Sequence, residues 1–446
     1  MKKLIRTIAI IQLLIITVFS LPTVNATQEQ EFVITDGVLT AYNGTAEAVT
    51  IPQQVYYIGD SAFEGNTKIK SVTLHSGVYY IGKKAFYKCT LLEAVNNSSS
   101  VNFVDTDAFT STKFLDNNSD DFMTVGNVLV RCNSKSTEIT VASSVTAIAP
   151  NAFADNNTVT AVTIPDSVTQ IGEKAFYGCK SLEKITIPKT VTSIGANAFE
   201  STRWLADYSG DFVVEGNGIL VKYKGKDESV KIPLAVNVIA PLAFSGNTTV
   251  KAVELSDSTY MIGESAFAGC KALSDVKFGG KTYFIDDNAF AETSIKKVNL
   301  PKSLKHLGAG VFANCKALKY VRLCDNVIEI FPYTFAGCEN ITAVSIPGSV
   351  VTIDRTSFID CKKIVFYIPS KCYAASYGDV LQIPTRNMKG DLNGDDKVTI
   401  SDVTILQKFK ADIVSLSDEQ IDCADVDVDE NVSIKDATEI QKLIAM

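Results

Sequence analysis

Phe176-Tyr-Gly-Cys179-Lys-Ser-Leu182-Glu-Lys-Ile185-Thr-Ile187-Pro188-Lys-Thr-Val191-Thr-Ser-Ile194-Gly195-Ala-Asn-Ala198-Phe199 decides the fold. Leu182, Ile185 and Ile187 suit a short strand with one face turned inward. Pro188 ends that strand, because proline has no N–H to give to a ladder. Val191 and Ile194 form a second inward edge, and Ala198-Phe199 closes the coil. A single unit of this size cannot bury its apolar face. Stacking covers each face with the same face of the next unit, which gives a one-dimensional core.

The closing phenylalanine recurs at Phe63, Phe86, Phe109, Phe153, Phe176, Phe199, Phe244, Phe267, Phe290, Phe312, Phe335 and Phe358. Successive spacings are 22 or 23 residues, apart from gaps of 44 and 45 that each contain one degenerate coil. The 295 residues from Phe63 to Phe358 make 13 periods averaging 22.7. Such self-similarity is the signature of a solenoid. The expected fold class is an α/β repeat, a parallel-strand solenoid of about 14 coils over residues 27–383. A longer period lies above the short one. Glu31-Phe32, Asp121-Phe122 and Asp211-Phe212 are each 90 residues apart and open similar phrases around a Gly/Asn turn. These predict hairpin elaborations of a coil. Phe32 to Tyr42 is expected as the N-terminal cap, and Ile364 to Ile383 as the C-terminal one.

The phrase resembles that of the BspA-like leucine-rich repeats, L-x-x-I-x-I-P-x-x-V-x-x-I-G-x-x-A-F-x-x-C. The likeness spans residues 30 to about 370. It implies a curved leucine-rich-repeat solenoid used for binding.

Composition narrows the rest. The chain has 446 residues, 46% hydrophobic and 21% charged, an ordinary globular balance that excludes a disordered or collagen-like protein. A formal charge of -8 argues against binding nucleic acid by neutralising phosphates. Two histidines leave almost nothing for histidine acid–base chemistry or a multi-histidine zinc site. No phosphate-cradling glycine loop or nucleophile elbow occurs. Lys2, Lys3 and Arg6, the apolar run Ile8 to Phe19, and small residues at Val24-Asn25-Ala26 read as a signal peptide over residues 1–26. The apolar run is shorter than a spanning helix, so membrane insertion is not expected and a secreted, extracellular protein is.

Ten cysteines in an exported chain suggest disulfides. The repeat points elsewhere. Cys89, Cys179, Cys270, Cys315, Cys338 and Cys361 each lie three residues after a repeat phenylalanine. Asn66, Asn156, Asn247, Thr112 and Thr202 fill the same column in other coils. A column that accepts Cys, Asn or Thr satisfies buried backbone groups at a turn. Cys132, Cys324, Cys372 and Cys423 have no such column. His75 and His306 occupy ordinary coil positions. Tyr56-Tyr57, Tyr79-Tyr80 and Phe103, with Tyr260 and Tyr283-Phe284 further on, share two columns and predict a strip of rings. The strip is either a self-stabilising ladder or a surface for a protein or a sugar chain.

After Pro384 the composition changes. A short linker is expected over 384–389, then a domain over 390–446 with 14 Asp/Glu against 5 Lys/Arg, a net of -9. Asp391 to Asp402 reads DLNGDDKVTISD, and Asp425 to Asp436 reads DVDVDENVSIKD, a copy 34 residues on. Both place oxygens at loop positions 1, 3, 5, 9 and 12, with a main-chain carbonyl at position 7, the arrangement that wraps calcium. The first set is Asp391, Asn393, Asp395, the Lys397 carbonyl, Thr399 and Asp402. The second is Asp425, Asp427, Asp429, the Asn431 carbonyl, Ser433 and Asp436. Each loop leads into an amphipathic helix, and two Ca2+ ions are expected. Asp396 and Glu430 stand at position 6, where glycine is usual.

Aspartate at position 12 and the lack of an entering helix make this segment resemble a type I dockerin, the module that plugs exported proteins into the cohesins of a cellulosome scaffold. The resemblance implies a small all-α fold and a cohesin partner. It also implies cohesin-facing residues at Ile400, Ser401, Gln407 and Lys408, and at their copies Ile434, Lys435, Gln441 and Lys442. The function expected is a secreted, non-catalytic cellulosome accessory protein that supports polysaccharide degradation, with repeats that hold a protein or polysaccharide ligand. The alternatives are a surface adhesin or inhibitor-like binder and, less well supported, a polysaccharide hydrolase. A hydrolase needs paired carboxylates across a cleft, and no segment stands outside repeats and caps to supply them.

Overall fold

The computed structural model describes residues 31–117, 119–369, 372–427 and 431–445. The expected signal peptide, residues 1–26, lies outside them, as does Asp429 of the second acidic loop. The structure divides into two compact units after Val221. The chain makes about 15 turns of a parallel-strand solenoid, one more than the spacing of phenylalanines alone suggests.

The first unit opens with the expected hairpin, Phe32–Thr35 antiparallel to Val38–Tyr42. Val38–Tyr42 then starts a parallel ladder through Tyr57–Ile58, Tyr80–Ile81 and Phe103–Val104. Ala48–Thr50, Ser71–Thr73 and Ala94–Asn96 form the other ladder of these coils. The degenerate coil of the first long gap consists of helix α1 (Lys113–Asp116) and a hairpin, Phe122–Val125 against Val128–Cys132. Val128–Cys132 takes a parallel place beside Ala147–Ile148, so the ladder continues through the elaboration. The second gap repeats the device with α2 (Arg203–Asp207) and a strand at Phe212–Glu215.

Register explains the 23-residue period. Ala161, Val162 and Thr163 pair with Lys184, Ile185 and Thr186, so each inward side chain stacks on its own kind. The repeat phenylalanines are buried and their rings stack, with centroids 4.6 Å apart for Phe153–Phe176 and 5.4 Å for Phe176–Phe199. Backbone bonds cross between coils at the same place, Phe153 N–H to the Ala175 carbonyl at 2.7 Å and Phe176 N–H to the Ala198 carbonyl at 2.8 Å. Glycine of the Ile-Gly phrase is required by close approach. A Cβ on Gly172 would stand 2.4 Å from the Pro150 nitrogen, and one on Gly195 equally close to that of Glu173.

The second unit is built from rungs of the same kind. Val238–Ile239, Met261–Ile262, Phe284–Ile285 and His306–Leu307 make one ladder. Lys297–Asn299, Tyr320–Arg322, Ala343–Ser345 and Val365–Tyr367 make another. The expected C-terminal cap holds α3 (Tyr373–Leu381). The expected linker at 384–389 is structured: Thr385–Arg386 adds a parallel strand beside Phe366–Tyr367, and Lys389 is buried. Beyond it stand α4 (Ile400–Lys410), α5 (Asp418–Ala424) and α6 (Ile434–Ala445). Leu392, Val403, Leu406, Ala424, Val426, Ala437 and Ile440 form their own small core. No helix among the described residues is long and apolar enough to cross a membrane.

Candidate metal and docking site

The acidic loops are shaped by their own side chains before any ion is considered. In the first, Asp391 is buried and its carboxylate accepts from the N–H groups of Gly394, Asp395 and Asp396, at 2.7, 3.2 and 2.9 Å. Burial pushes the Asp391 carboxyl up, and these amides pull against that shift. Asp402 accepts from Leu392 N–H at 2.9 Å and Thr399 N–H at 2.8 Å. Thr399 returns a bond to the start of α4, and the pair forms a capping box. One pair of residues therefore closes the loop and starts the helix. Asn393 and Asp395 bond to each other at 3.0 Å, and Lys397 N–H bonds to Asp395 at the same distance. Asp396 takes φ 62°, the left-handed conformation a glycine there would adopt, so the turn is made despite the substitution.

The second loop repeats the scheme. Asp436 accepts from Val426 N–H at 2.9 Å and Ser433 N–H at 2.8 Å. Carboxylate oxygens of Asp425, Asp427 and Asp436 all lie within 4.8 Å of one another. Three carboxylates this close repel unless a cation joins them, and Lys435 pairs with Asp427 here. The donors are hard oxygens, which fits calcium and argues against a thiophilic metal. Of the predicted ligands, Asn431 and Ser433 sit in the same loop, Asn431 exposed and Ser433 half-buried.

All eight predicted cohesin-facing residues are solvent-exposed. Ile400 and Ile434 are 62% and 61% exposed, which is unusual for isoleucine and the same in both copies. α4 and α6 pack on each other through Val403, Leu406, Ala437 and Ile440, leaving these two matching faces outside.

The aromatic columns form as expected, but not as an open surface. Tyr57 stacks on Tyr80 at 4.2 Å, Tyr80 on Phe103 at 5.9 Å, and Tyr260 on Tyr283 at 5.5 Å. Phe284 stacks on His306 at 4.3 Å. Tyr80 and Phe284 are buried, and Tyr56, Tyr57, Tyr79, Phe103, Tyr260 and Tyr283 are half-buried. Tyr80 also donates to Asp105 at 3.0 Å. The rings spend their faces on one another. His75 bonds the Pro52 carbonyl and accepts from Gly77 N–H, so it too serves its coil.

The cysteine column satisfies backbone, as its exchange with Asn and Thr implies. Cys89 and Cys179 donate Sγ–H to the carbonyls of Phe63 and Phe153 at 3.0 Å, and Cys270, Cys315, Cys338 and Cys361 make the matching bond at 3.1 Å. Asn156 and Asn247 accept from amides of their own turns. Thr112 and Thr202 cap α1 and α2. Among the described residues no cysteine forms a disulfide.

Families match both parts of the chain. The family described as BspA type Leucine rich repeat region matches residues 40–159, 127–209 and 228–365. The chain belongs to the BspA-type leucine-rich repeat proteins. The family described as Dockerin type I domain matches residues 389–445. Similar solved structures are leucine-rich repeat proteins of bacteria. The pneumococcal vaccine antigen PcpA is 20% identical, over 79% of this chain and 90% of that one, with a TM-score of 0.38. A leucine-rich cell surface protein of Faecalibacterium prausnitzii is 26% identical, over 81% and 97%, with a TM-score of 0.33. A leucine-rich repeat protein of Bacteroides ovatus is 22% identical, over 79% and 99%, with a TM-score of 0.31. No curated protein matches the chain.

For this BspA-type protein the type I dockerin implies docking of the cellulosome kind to a cohesin, and the repeats imply a binding role. Type I dockerins typically bind calcium, and the oxygen-rich loops of this one fit that ion. One cluster escaped the sequence reading: Tyr367, Arg386 and Lys389 converge on Asp422. Its signal was Cys423, a thiol without a repeat column, together with aromatic residues at Tyr320 and Tyr367.

Proposed function

We propose that this protein is a secreted, non-catalytic accessory component of a cellulosome. Its dockerin carries two calcium ions and binds a scaffold cohesin, and its repeats present a surface to a protein or polysaccharide as part of polysaccharide breakdown. The observation that carries this reading is the duplicated loop-helix, with carboxylates gathered at Asp425, Asp427 and Asp436 and matching exposed faces on α4 and α6. Bound calcium supplies charge neutralisation and fixes each loop. The chain's own residues supply the rest: Asp402 and Asp436 tie loop to helix, while Ile400 and Ile434 offer apolar contact beside Lys408 and Lys442. Repeats whose ring columns stack on themselves support binding by the broad coil surface rather than by a catalytic cleft. Calorimetry of the full chain against a type I cohesin tests the reading. Binding in calcium that disappears with a chelator is expected. Equal binding in both conditions, or none in calcium, overturns it.

A further inference from the structure

We propose that the dockerin is mounted on this chain's own repeats through the Asp422–Cys423 face of α5, and stays mounted while either helix face engages a partner. The proposal rests on the dockerin reading above.

Cys423 is 1% exposed, yet it does not belong to the dockerin's core. It clusters with Tyr320, Ala343 and Tyr367 of three successive repeat strands. Tyr320 and Ala343 share one outward column of the ladder, and Tyr367 lies in the other outward column. In an earlier coil the corresponding column holds exposed Lys184, and in another exposed Asp275. Here it is apolar and covered. Asp422 accepts from the Tyr367 hydroxyl and from Arg386, which itself sits on the strand paired with Tyr367. Burial alone would raise the Asp422 carboxyl, but Tyr367, Lys389 and Arg386 outweigh it and hold it below the usual range. Lys389 is buried and donates to the main-chain carbonyls of Asp422 and Asp425, each at 2.8 Å. Beside this contact a cavity is lined jointly by Arg322 and Ser345 of the repeats, by Met388 and by Leu443 of α6.

Charge fits as well. The segment of net -9 meets Arg386, Lys389 and the half-buried Lys297. Only Asn387 and Met388 separate the last strand residue, Arg386, from the buried Lys389, so no slack chain joins the two parts. The docked face shares no residue with Ile400, Ser401, Gln407 and Lys408, or with Ile434, Lys435, Gln441 and Lys442, all of which stay exposed. The chain's own solenoid is therefore one partner of the module, and a cohesin the other.

Cys423 reports the contact directly. The full-length protein in calcium is treated with N-ethylmaleimide, and labelling is followed by peptide mass spectrometry. Cys372, half-exposed, serves as the reactive reference and Cys338, buried among coils, as the fold control. Cys423 is expected to label at least tenfold more slowly than Cys372. Arg386→Ala with Tyr367→Phe, and separately Ala343→Glu, should each speed Cys423 at least tenfold while Cys338 stays silent. Adding saturating cohesin to the native protein should leave Cys423 protected. Labelling as fast as Cys372 in the native protein overturns the mount. So does protection that survives Ala343→Glu, because the dockerin alone would then bury the thiol. Exposure of Cys423 by cohesin overturns persistence during binding. A protected Cys423 in a protein that binds no cohesin sinks the cellulosome reading and leaves the intramolecular contact standing.

Discussion

At the scale of residues, the repeat phrase is a list of backbone requirements. The glycine of Ile-Gly is fixed by the neighbouring coil, so Gly172→Ala forces its Cβ into Pro150. Overpacking of this kind costs about 1–3 kcal/mol, and chemical denaturation should show the unfolding free energy falling by that amount. Two residues on, the turn takes a left-handed conformation, φ 54° at Lys174 and 53° at Asn197. Asparagine adopts that region at less cost than lysine. Lys174→Asn should therefore stabilise by about 0.5 kcal/mol, read as a raised melting temperature. The cysteine column makes a pH prediction. Burial pushes the thiols up, to about 11 for Cys89 and Cys270 and about 12 for Cys179. The folded state then keeps protons that the unfolded chain releases above about pH 8.5. Stability is full below that pH and falls as pH rises toward 11–12, by up to about 1.4 kcal/mol per pH unit for each such thiol. Replacing Cys179 with serine should flatten the alkaline limb of the stability–pH curve; an unchanged limb would show that the thiol ionises alike in the folded and unfolded chain.

At the scale of elements, the coil is the unit of packing and the loop-helix the unit of docking. Phe176 is fully buried between the rings of Phe153 and Phe199, so Phe176→Ala opens a gap on both sides. A loss of about 3–5 kcal/mol is expected from denaturant titration. The two loop-helices differ at Ser401 and Lys435 but agree at Ile400/Ile434, Gln407/Gln441 and Lys408/Lys442. This near-identity predicts that one cohesin can meet either helix through a pseudo-two-fold relation. Calorimetry should find that Gln407→Ala/Lys408→Ala and Gln441→Ala/Lys442→Ala each leave binding in place, while all four changes weaken it by tenfold or more. Loss of binding from one pair alone would assign the interface to that single helix.

At the scale of the whole molecule, calcium is expected to matter to the C-terminal module and not to the coils. Chelation leaves the carboxylates of Asp425, Asp427 and Asp436 mutually repelling, whereas the solenoid is held by stacked apolar rows. Differential scanning calorimetry should show a chelator lowering only the transition that carries the helices. Hydrolysis is the other global test: no reducing sugar should be released from cellulose, xylan or pectin by the purified protein. Turnover that persists after further purification would replace the accessory reading with an enzymatic one.

The repeat period, the inward residues, the turn-satisfying column and the acidic loops that lead into helices were legible in the residues, because each is set by contacts between positions at a fixed spacing. A 23-residue recurrence states the register of a ladder directly, and loop positions 1, 3, 5, 9 and 12 lie within one turn of chain. The tertiary structure alone decided three things. It set a short helix ahead of the expected hairpin phrase in each long gap and gave Val128–Cys132 a parallel place in the ladder without the repeat phrase. It turned the tyrosine columns on themselves, because rings 4.2 to 5.9 Å apart bury one another before any ligand arrives. And it converted the stretch before the acidic loops from a linker into a strand and a buried lysine. That last outcome depends on Asp422 and Tyr367, 55 residues apart, meeting across a face that no local spacing describes.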